Sequence, residues 1–227
     1  MSTLFIVATP IGNLGDMSER AVQTLKDVSW IACEDTRTSS VLFQQFGIST
    51  PAFAFHQHNE HRKVEHLMAL LESGEDVALI SDAGMPGISD PGFLAVRAAW
   101  QHGFLVSVIP GPSAAITALM ASGLPADRFV FEGFLPAKKG RKTRIEQLAD
   151  EERTIILYES PHRILRLLDE LLIPFGEDRL VALTRELTKK FEEIIRTSLG
   201  DLRQQVNERK GIKGEITLVI SGKGYSE

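Results

Sequence analysis

A single cysteine, Cys33, stands among the 227 residues, so no intrachain disulfide can form and no zinc site closed by several thiolates can be built. This fits a reducing compartment, and the cytoplasm is the expected location. Long apolar runs are missing too. No stretch approaches the roughly 20 apolar residues that span a bilayer, and the amino terminus lacks a charged segment leading into a signal-type core. A soluble, unprocessed chain without membrane contact is expected. There is also no excess of basic charge: the formal net charge is -5, which argues against a surface that attracts nucleic acid everywhere.

With 43% hydrophobic and 24% charged residues, the chain can bury a core of its own. The amino-terminal half alternates short apolar runs with longer amphipathic ones, the pattern of an α/β domain with parallel strands. Strands are expected at 4–8, 28–33, 52–55, 77–81 and 105–109, each too short and too β-branched or apolar to favour a helix. Over 60–73, Val64, Leu67, Met68 and Leu71 form one helical stripe, and Gly74 follows where a left-handed cap residue belongs. Gly47 and Gly103 are expected to stop two further helices. The segment Pro110, Gly111, Pro112 interrupts regular structure before Ser113, a good cap for 114–122. The domain boundary is placed there, giving domains 1–112 and 113–227. The second half carries strand-like runs at 129–132, 154–158, 180–184, 191–196 and 215–221 and helical runs at about 142–149, 161–172 and 199–208, which form a second sheet. Without repeats or a long linker, the halves are expected to pack closely around a cleft, a favoured ligand position.

Several segments carry chemistry. ATPIGNLGDMS ends the first strand, with Pro10, Gly12 and Gly15 bending the chain before a Ser18 helix cap. An ordinary strand-to-helix turn explains this segment as well as a ligand loop does. It has neither a P-loop ending nor a dinucleotide Gly-x-Gly-x-x-Gly pattern, so nucleoside triphosphates and nicotinamide cofactors lose support. The loop 81–92, SDAGMPGISDPG, follows a buried-looking strand and is longer than a simple connection needs. Such loops at the carboxyl ends of parallel strands bind ligands. Segment 33–38, CEDTRT, is either a solvated ion pair with Thr38 or Ser39 capping the next helix, or a place where Asp35 and Arg37 position a polar substrate. In YESPHR, Ser160 and Pro161 suit an N-cap and first turn, whereas Tyr158, Glu159 and Arg163 suit a cleft or a structural role equally. Arg185 and Glu186 are open in the same way.

His56, His58, His61 and His66 do not have the zinc-protease spacing, and solvated side chains are the default for them; no metal site is expected. Lys138, Lys139, Arg141, Lys142 and Arg144 fall within seven residues with no acid among them. This run is the clearest candidate for phosphate contact, the alternative being a solvated charge run.

Taken together, ATPIGNLGDMSERA, EDTR, SDAGMPGISDPG, PGPSAAITAL, EGFLPAKKGRK, YESPHR, ALTRELTKKFEE and KGEITLVI resemble, in order and spacing, the ribosomal small-subunit methyltransferase I family of the tetrapyrrole-methylase superfamily. The similarity runs from residue 4 to about 221. It implies two α/β domains of the tetrapyrrole-methylase type, S-adenosyl-L-methionine in the interdomain cleft, and a homodimer. Carried over motif by motif, it puts Pro10, Asp82, Ala83, Gly84 and Met85 at the cofactor, with Ser113 and Ala114 extending the pocket and Tyr158, Leu183 and Ile216 reaching it mainly through strand-end main chain. The implied activity is transfer of methyl to the ribose 2′-oxygen of a cytidine in the decoding region of 16S ribosomal RNA. Asp35, Arg37 and Glu159 are then substrate-facing candidates, either acid being a possible proton acceptor, and the basic run becomes a mobile RNA-gripping loop. Members of that family extend past the equivalent of Glu227, and part of the RNA-recognition surface is expected there. Two rival functions share the scaffold: methylation of a tetrapyrrole, and a non-catalytic RNA-binding or assembly module.

Overall fold

Strands covered by helices on both faces need near-continuous apolar sequence, and five such segments build the first sheet. In the computed structural model, which describes residues 2–56, 60–209 and 212–227, the chain divides into two compact units, Met1–Ser113 and Ala114–Glu227. The first unit contains β1 (Thr3–Val7), β2 (Trp30–Cys33), β3 (Ala52–Ala54), β4 (Val77–Ile80) and β5 (Leu105–Ile109), ordered β3-β2-β4-β1-β5. Every pairing is parallel. Its helices are α1 (Glu19–Asp27), α2 (Thr36–Phe46), α3 (Glu60–Glu72) and α4 (Phe93–Gln101).

Strand side chains alternate between two cores. Val7, Ile31, Cys33, Ala78 and Ile80 pack with Ala21 and Leu25 of α1 and Leu42 of α2. Leu4, Ile6, Ala32, Val77 and Leu79 pack with Leu67, Met68 and Leu71 of α3 and Ala95 and Ala99 of α4. Helix ends follow local chemistry. Ser18 caps α1 by accepting the Ala21 N–H, and Gly47, Gly74 and Gly103 take positive φ just past α2, α3 and α4. The cap of α2 is Asp35 rather than Thr38 or Ser39: its carboxylate accepts the Arg37 N–H, the helix begins at Thr36, and Ser39 is buried inside it.

The second unit holds α5 (Ala114–Ser122), β6 (Phe129–Phe134), α6 (Arg141–Ala149), β7 (Thr154–Glu159), α7 (Ile164–Phe175), β8 (Leu180–Arg185), β9 (Glu193–Ser198), α8 (Leu199–Glu208) and β10 (Ile216–Ile220). The sheet order is β6-β7-β10-β8-β9. Only β6 and β7 run parallel; the other pairings are antiparallel. One sheet face packs Ile155, Leu157, Val181, Leu183, Ile216 and Leu218 against α6, α7 and α8. Helix α5 packs on strands of the same sheet and buries Ala115, Ala118 and Leu119.

Two of the boundaries that differ from expectation have a clear local cause. Helix α7 starts at Ile164 because Ser160 to Arg163 form a turn in which the Ser160 carbonyl accepts from both Arg163 and Ile164. It then runs through Pro174, which cannot donate to the carbonyl four residues back, and ends one residue later at Phe175. Strand β9 starts at Glu193 because 186–192 is a tight turn with left-handed Glu186 (φ 52) and Thr188 (φ 66).

Candidate active site

Since the first sheet is wholly parallel, the carboxyl ends of its strands share one edge. Neighbouring strands β1 and β4 send their following helices to opposite faces, α1 into one core and α4 into the other. The reversal of that direction marks the switch point, the place where open α/β sheets bind ligands. The loop after β1 and the loop 81–92 are joined at this point: Thr9 and Gly84 exchange both backbone hydrogen bonds, 2.9 and 3.0 Å. The Thr9 hydroxyl also donates to the Ser81 carbonyl at 3.1 Å. Gly84 has φ 82, a conformation that disfavours any side chain. On the β5 side, a Cβ added to Gly111 would lie 2.9 Å from the Ala8 Cβ, so glycine lets the 110–112 backbone approach β1.

The 81–92 loop is fixed elsewhere too. The Gly87 N–H donates to the Pro91 carbonyl at 3.2 Å, Ile88 N–H to Met85 carbonyl at 3.2 Å, and Gly92 N–H to the Glu60 carboxylate at 3.0 Å. Its other flank meets the EDTR segment, where the Asp35 N–H donates to Asp82 Oδ1 at 3.2 Å. Pro10 and Met85 are half-buried, Gly84 is buried, and Asp82 and Ala83 are exposed. The structure thus brings Pro10, Asp82, Ala83, Gly84, Met85 and Asp35 to one edge of one sheet. Ser113, at the end of this unit, and Ala114, which opens α5, are both half-buried.

The carboxylates on this edge are unlike one another. Arg37 holds Asp35 with a 2.7 Å ion pair and lowers its pKa to about 2, so Asp35 stays ionised and is a poor proton acceptor. Arg37 itself is largely exposed. Burial raises Glu34 above the ordinary carboxylate range, with the Asp82 charge adding to it, and partial burial raises Asp82, with the Asp35 charge adding to it. Asp90 rises further, to about 7, through burial and then the negative charges of Glu34 and Asp82.

In the second unit Glu159 faces inward. Its side chain is fully buried, accepts from Arg163 at 2.7 Å, and lies 3.5 Å from Arg141. Arg141 also pairs with Glu170 at 2.6 Å and is only 5% exposed. The assignment of Glu159 as a substrate-facing acid is therefore corrected: it is the buried counter-ion of two arginines, which hold α6 and α7 to the end of β7. The basic run is corrected in the same way. Arg141 is consumed in that network, and Arg144 is bound by both carboxylate oxygens of Glu132. Lys138, Lys139 and Lys142 remain exposed, and among the described residues only the weak Lys142–Glu146 contact at 3.9 Å engages the side chain of any of them. The run is not one long loop, since α6 begins at Arg141.

Tyr158 is half-buried, its hydroxyl oxygen accepts the Ala115 N–H at 3.1 Å, and its ring packs on Phe131 and Phe134. It thereby anchors the first turn of α5. Leu183 and Ile216 lie in the helix-covered core, and each sits between two paired strands. Neither offers a free side chain, in keeping with an expected contact through main chain only; Ile216 is the first residue of β10, and both build the sheet that carries Tyr158. Arg185 pairs with Glu193 at 3.1 Å, and Glu186 accepts the Glu215 N–H at 3.0 Å. His58 lies outside the described residues. His66 packs edge-on against Phe53, and among the described residues no three metal-ligating side chains converge. No helix among them is long and apolar enough to cross a membrane.

A family model for tetrapyrrole (corrin/porphyrin) methylases matches residues 3–203. The chain is 50% identical over 226 residues to the ribosomal RNA small subunit methyltransferase I of Haemophilus influenzae, spanning 99% of this chain and 80% of that protein. The protein of the same name from Pseudomonas aeruginosa is 50% identical over 222 residues, 97% of this chain and 79% of its own. Among solved structures, the methyltransferase CobJ superposes with a TM-score of 0.74 at 16% identity, covering 100% of this chain and 97% of its own. A Thermus thermophilus uroporphyrin-III C-methyltransferase complexed with S-adenyl homocysteine gives 0.67 at 17% identity, covering 97% of both chains. At these identities the structures share the fold.

Proposed function

Because the chain belongs to the ribosomal RNA small subunit methyltransferase I family of the tetrapyrrole methylases, we propose that it transfers methyl from S-adenosyl-L-methionine to the ribose 2′-oxygen of a cytidine in 16S ribosomal RNA. The observation that carries this is identity at half of all positions across 99% of the chain, a span that includes every loop of the carboxyl edge. The switch-point geometry supports it independently. There the chain offers rigid backbone at Thr9–Gly84, a glycine-enabled approach at Gly111, and the exposed Asp82 carboxylate. These features fit a polar, amino-acid-bearing nucleoside better than a flat apolar ring.

The donor supplies an activated methyl on a sulfonium, so the protein's main task is alignment and exclusion of water. Pro10 and Asp82 to Met85 hold the donor, with Ser113, Ala114 and Tyr158 as further contacts. Arg37, exposed and fixed by Asp35, is suited to a phosphate or ribose oxygen of the acceptor. Lys138, Lys139 and Lys142 contact RNA phosphates. The active form is a homodimer: exposed Leu105 and Val108 on edge strand β5 and exposed Trp100 and Phe93 on α4 are apolar surface that a second copy would cover. The enzyme works in the cytoplasm, with its substrate.

The test is competition among acceptors. Purified chain and methyl-labelled donor are offered small ribosomal subunits, naked ribosomal RNA and a tetrapyrrole in parallel. Label on RNA is expected. Label on the tetrapyrrole alone would replace this reading, and tight RNA binding without transfer would favour a binding module.

A further inference from the structure

Neither acid that the motifs single out is free to accept a proton, since Asp35 is bound by Arg37 and Glu159 is sealed between Arg141 and Arg163. Asp90 differs from both. It is half-buried on the carboxyl edge of the first sheet, yet its carboxyl makes no hydrogen bond or ion pair with any described residue. A half-buried carboxyl without a partner is an expensive arrangement for a purely structural residue.

The backbone around it is held in place. Ser89, immediately before it, has φ 65, a left-handed conformation that non-glycine residues seldom adopt. The Gly87–Pro91 hydrogen bond closes the loop over Ser89 and Asp90, and Glu60 pins Gly92. A Cβ on Gly92 would meet Gly87 N at 3.0 Å and Leu79 Cδ2 at 3.2 Å, so the return of the chain after Asp90 is packed as well. The same loop forms the Thr9–Gly84 bridge at the switch point.

We propose that Asp90 is the proton acceptor for the ribose 2′-hydroxyl, a role that rests on the 2′-O-methylation reading above. As the oxygen–carbon bond forms, the carbon–sulfur bond breaks and the hydroxyl proton passes to the Asp90 carboxylate. The positive charge lost at sulfur is matched by the negative charge lost at Asp90, leaving a neutral thioether, a methyl ether and a carboxylic acid. The charges that act on it are Glu34, just after β2, and Asp82 at the head of the loop, while the Glu60 carboxylate at the start of α3 is held by the Gly92 N–H. Both acting charges are negative, and they raise its pKa after burial has done so. The result, about 7, suits a base working near neutrality.

Single-turnover methylation of small subunits by the full chain, followed across pH, tests the role. The wild-type rate should rise about tenfold per pH unit below about 7 and level off above. Asp90→Asn should lower the plateau by about 10²–10⁴-fold and remove the inflexion, with donor affinity by calorimetry unchanged. A variant rate equal to wild type, or a reduced rate with the same inflexion, would overturn the proposal. Should Asp90→Asn bind donor poorly, Asp90→Glu decides: a displaced inflexion supports the role and an unmoved one refutes it. If wild type itself modifies no RNA, the 2′-O-methylation reading fails and this role with it. If wild type modifies RNA and Asp90→Asn does so equally well, only the role of Asp90 falls.

Discussion

Replacing Lys138, Lys139 and Lys142 together with alanine, and Arg141 alone in a second variant, separates two fates within one basic run. The three lysines are exposed, so their loss should leave stability within about 0.5 kcal/mol of wild type. If each meets one RNA phosphate, counterion release of about 0.7–0.9 per contact lowers the slope of log affinity against log salt by about 2–3. At about 0.1 M salt the triple variant should then bind RNA roughly 10²-fold more weakly or worse, and the two curves should converge near about 1 M. Arg141 behaves oppositely. Its guanidinium is buried between Glu159 and Glu170, and removing one partner of a buried ion network costs about 3–5 kcal/mol. For a chain of this length that lowers Tm by about 6–20 °C. Filter binding across a salt series and calorimetric melting read the two effects. An Arg141→Ala protein with wild-type Tm but a flatter salt slope would refute the division.

Asp35→Ala removes the cap of α2 and should cost about 1 kcal/mol in urea unfolding, while Asp35→Asn, which keeps a capping oxygen, should cost less. Asp90, raised to about 7 in the fold, adds stability that is complete below its unfolded pKa near 3.9 and is lost as pH rises through about 7. Full linkage would be about 4 kcal/mol, and contact with solvent reduces this to about 1–2 kcal/mol. Asp90→Asn should therefore flatten denaturation midpoints between about pH 4 and 7, and an unchanged pH dependence would contradict this. At Gly214, φ is 96 and an added Cβ would lie 2.4 Å from Glu186 Cγ. Gly214→Ala should cost about 1–3 kcal/mol in denaturant unfolding, and a neutral effect would show that the 186–192 turn yields easily.

The first sheet was legible because its strands are buried on both faces: VALIS and LFIVA cannot be amphipathic helices, and glycines close the intervening helices. The 81–92 loop was legible by composition alone, and it falls between Ile80 and Phe93. What stayed hidden was pairing between distant residues. The run from Lys138 to Arg144 contains no acid locally, yet Glu132 on β6 and Glu170 on α7 neutralise two of its arginines. YESPHR exposes its chemistry in sequence, but only the fold shows Glu159 turned inward and Tyr158 holding the Ala115 N–H. Asp90 sat in a loop already marked out, without a signal of its own. Its lack of a partner follows from which acids β2 and β4 bring to the edge, and that is set by strand order rather than by neighbours in sequence.

The central claim is most directly tested by the nucleoside that carries the methyl group. Small subunits lacking the modification would be incubated with the purified chain and isotopically labelled S-adenosyl-L-methionine, the RNA digested to nucleosides, and the products separated by liquid chromatography and mass spectrometry. Labelled 2′-O-methylcytidine, confined to a decoding-region fragment, is the predicted result. Label on a base, on another nucleoside, or nowhere in the RNA would contradict the account.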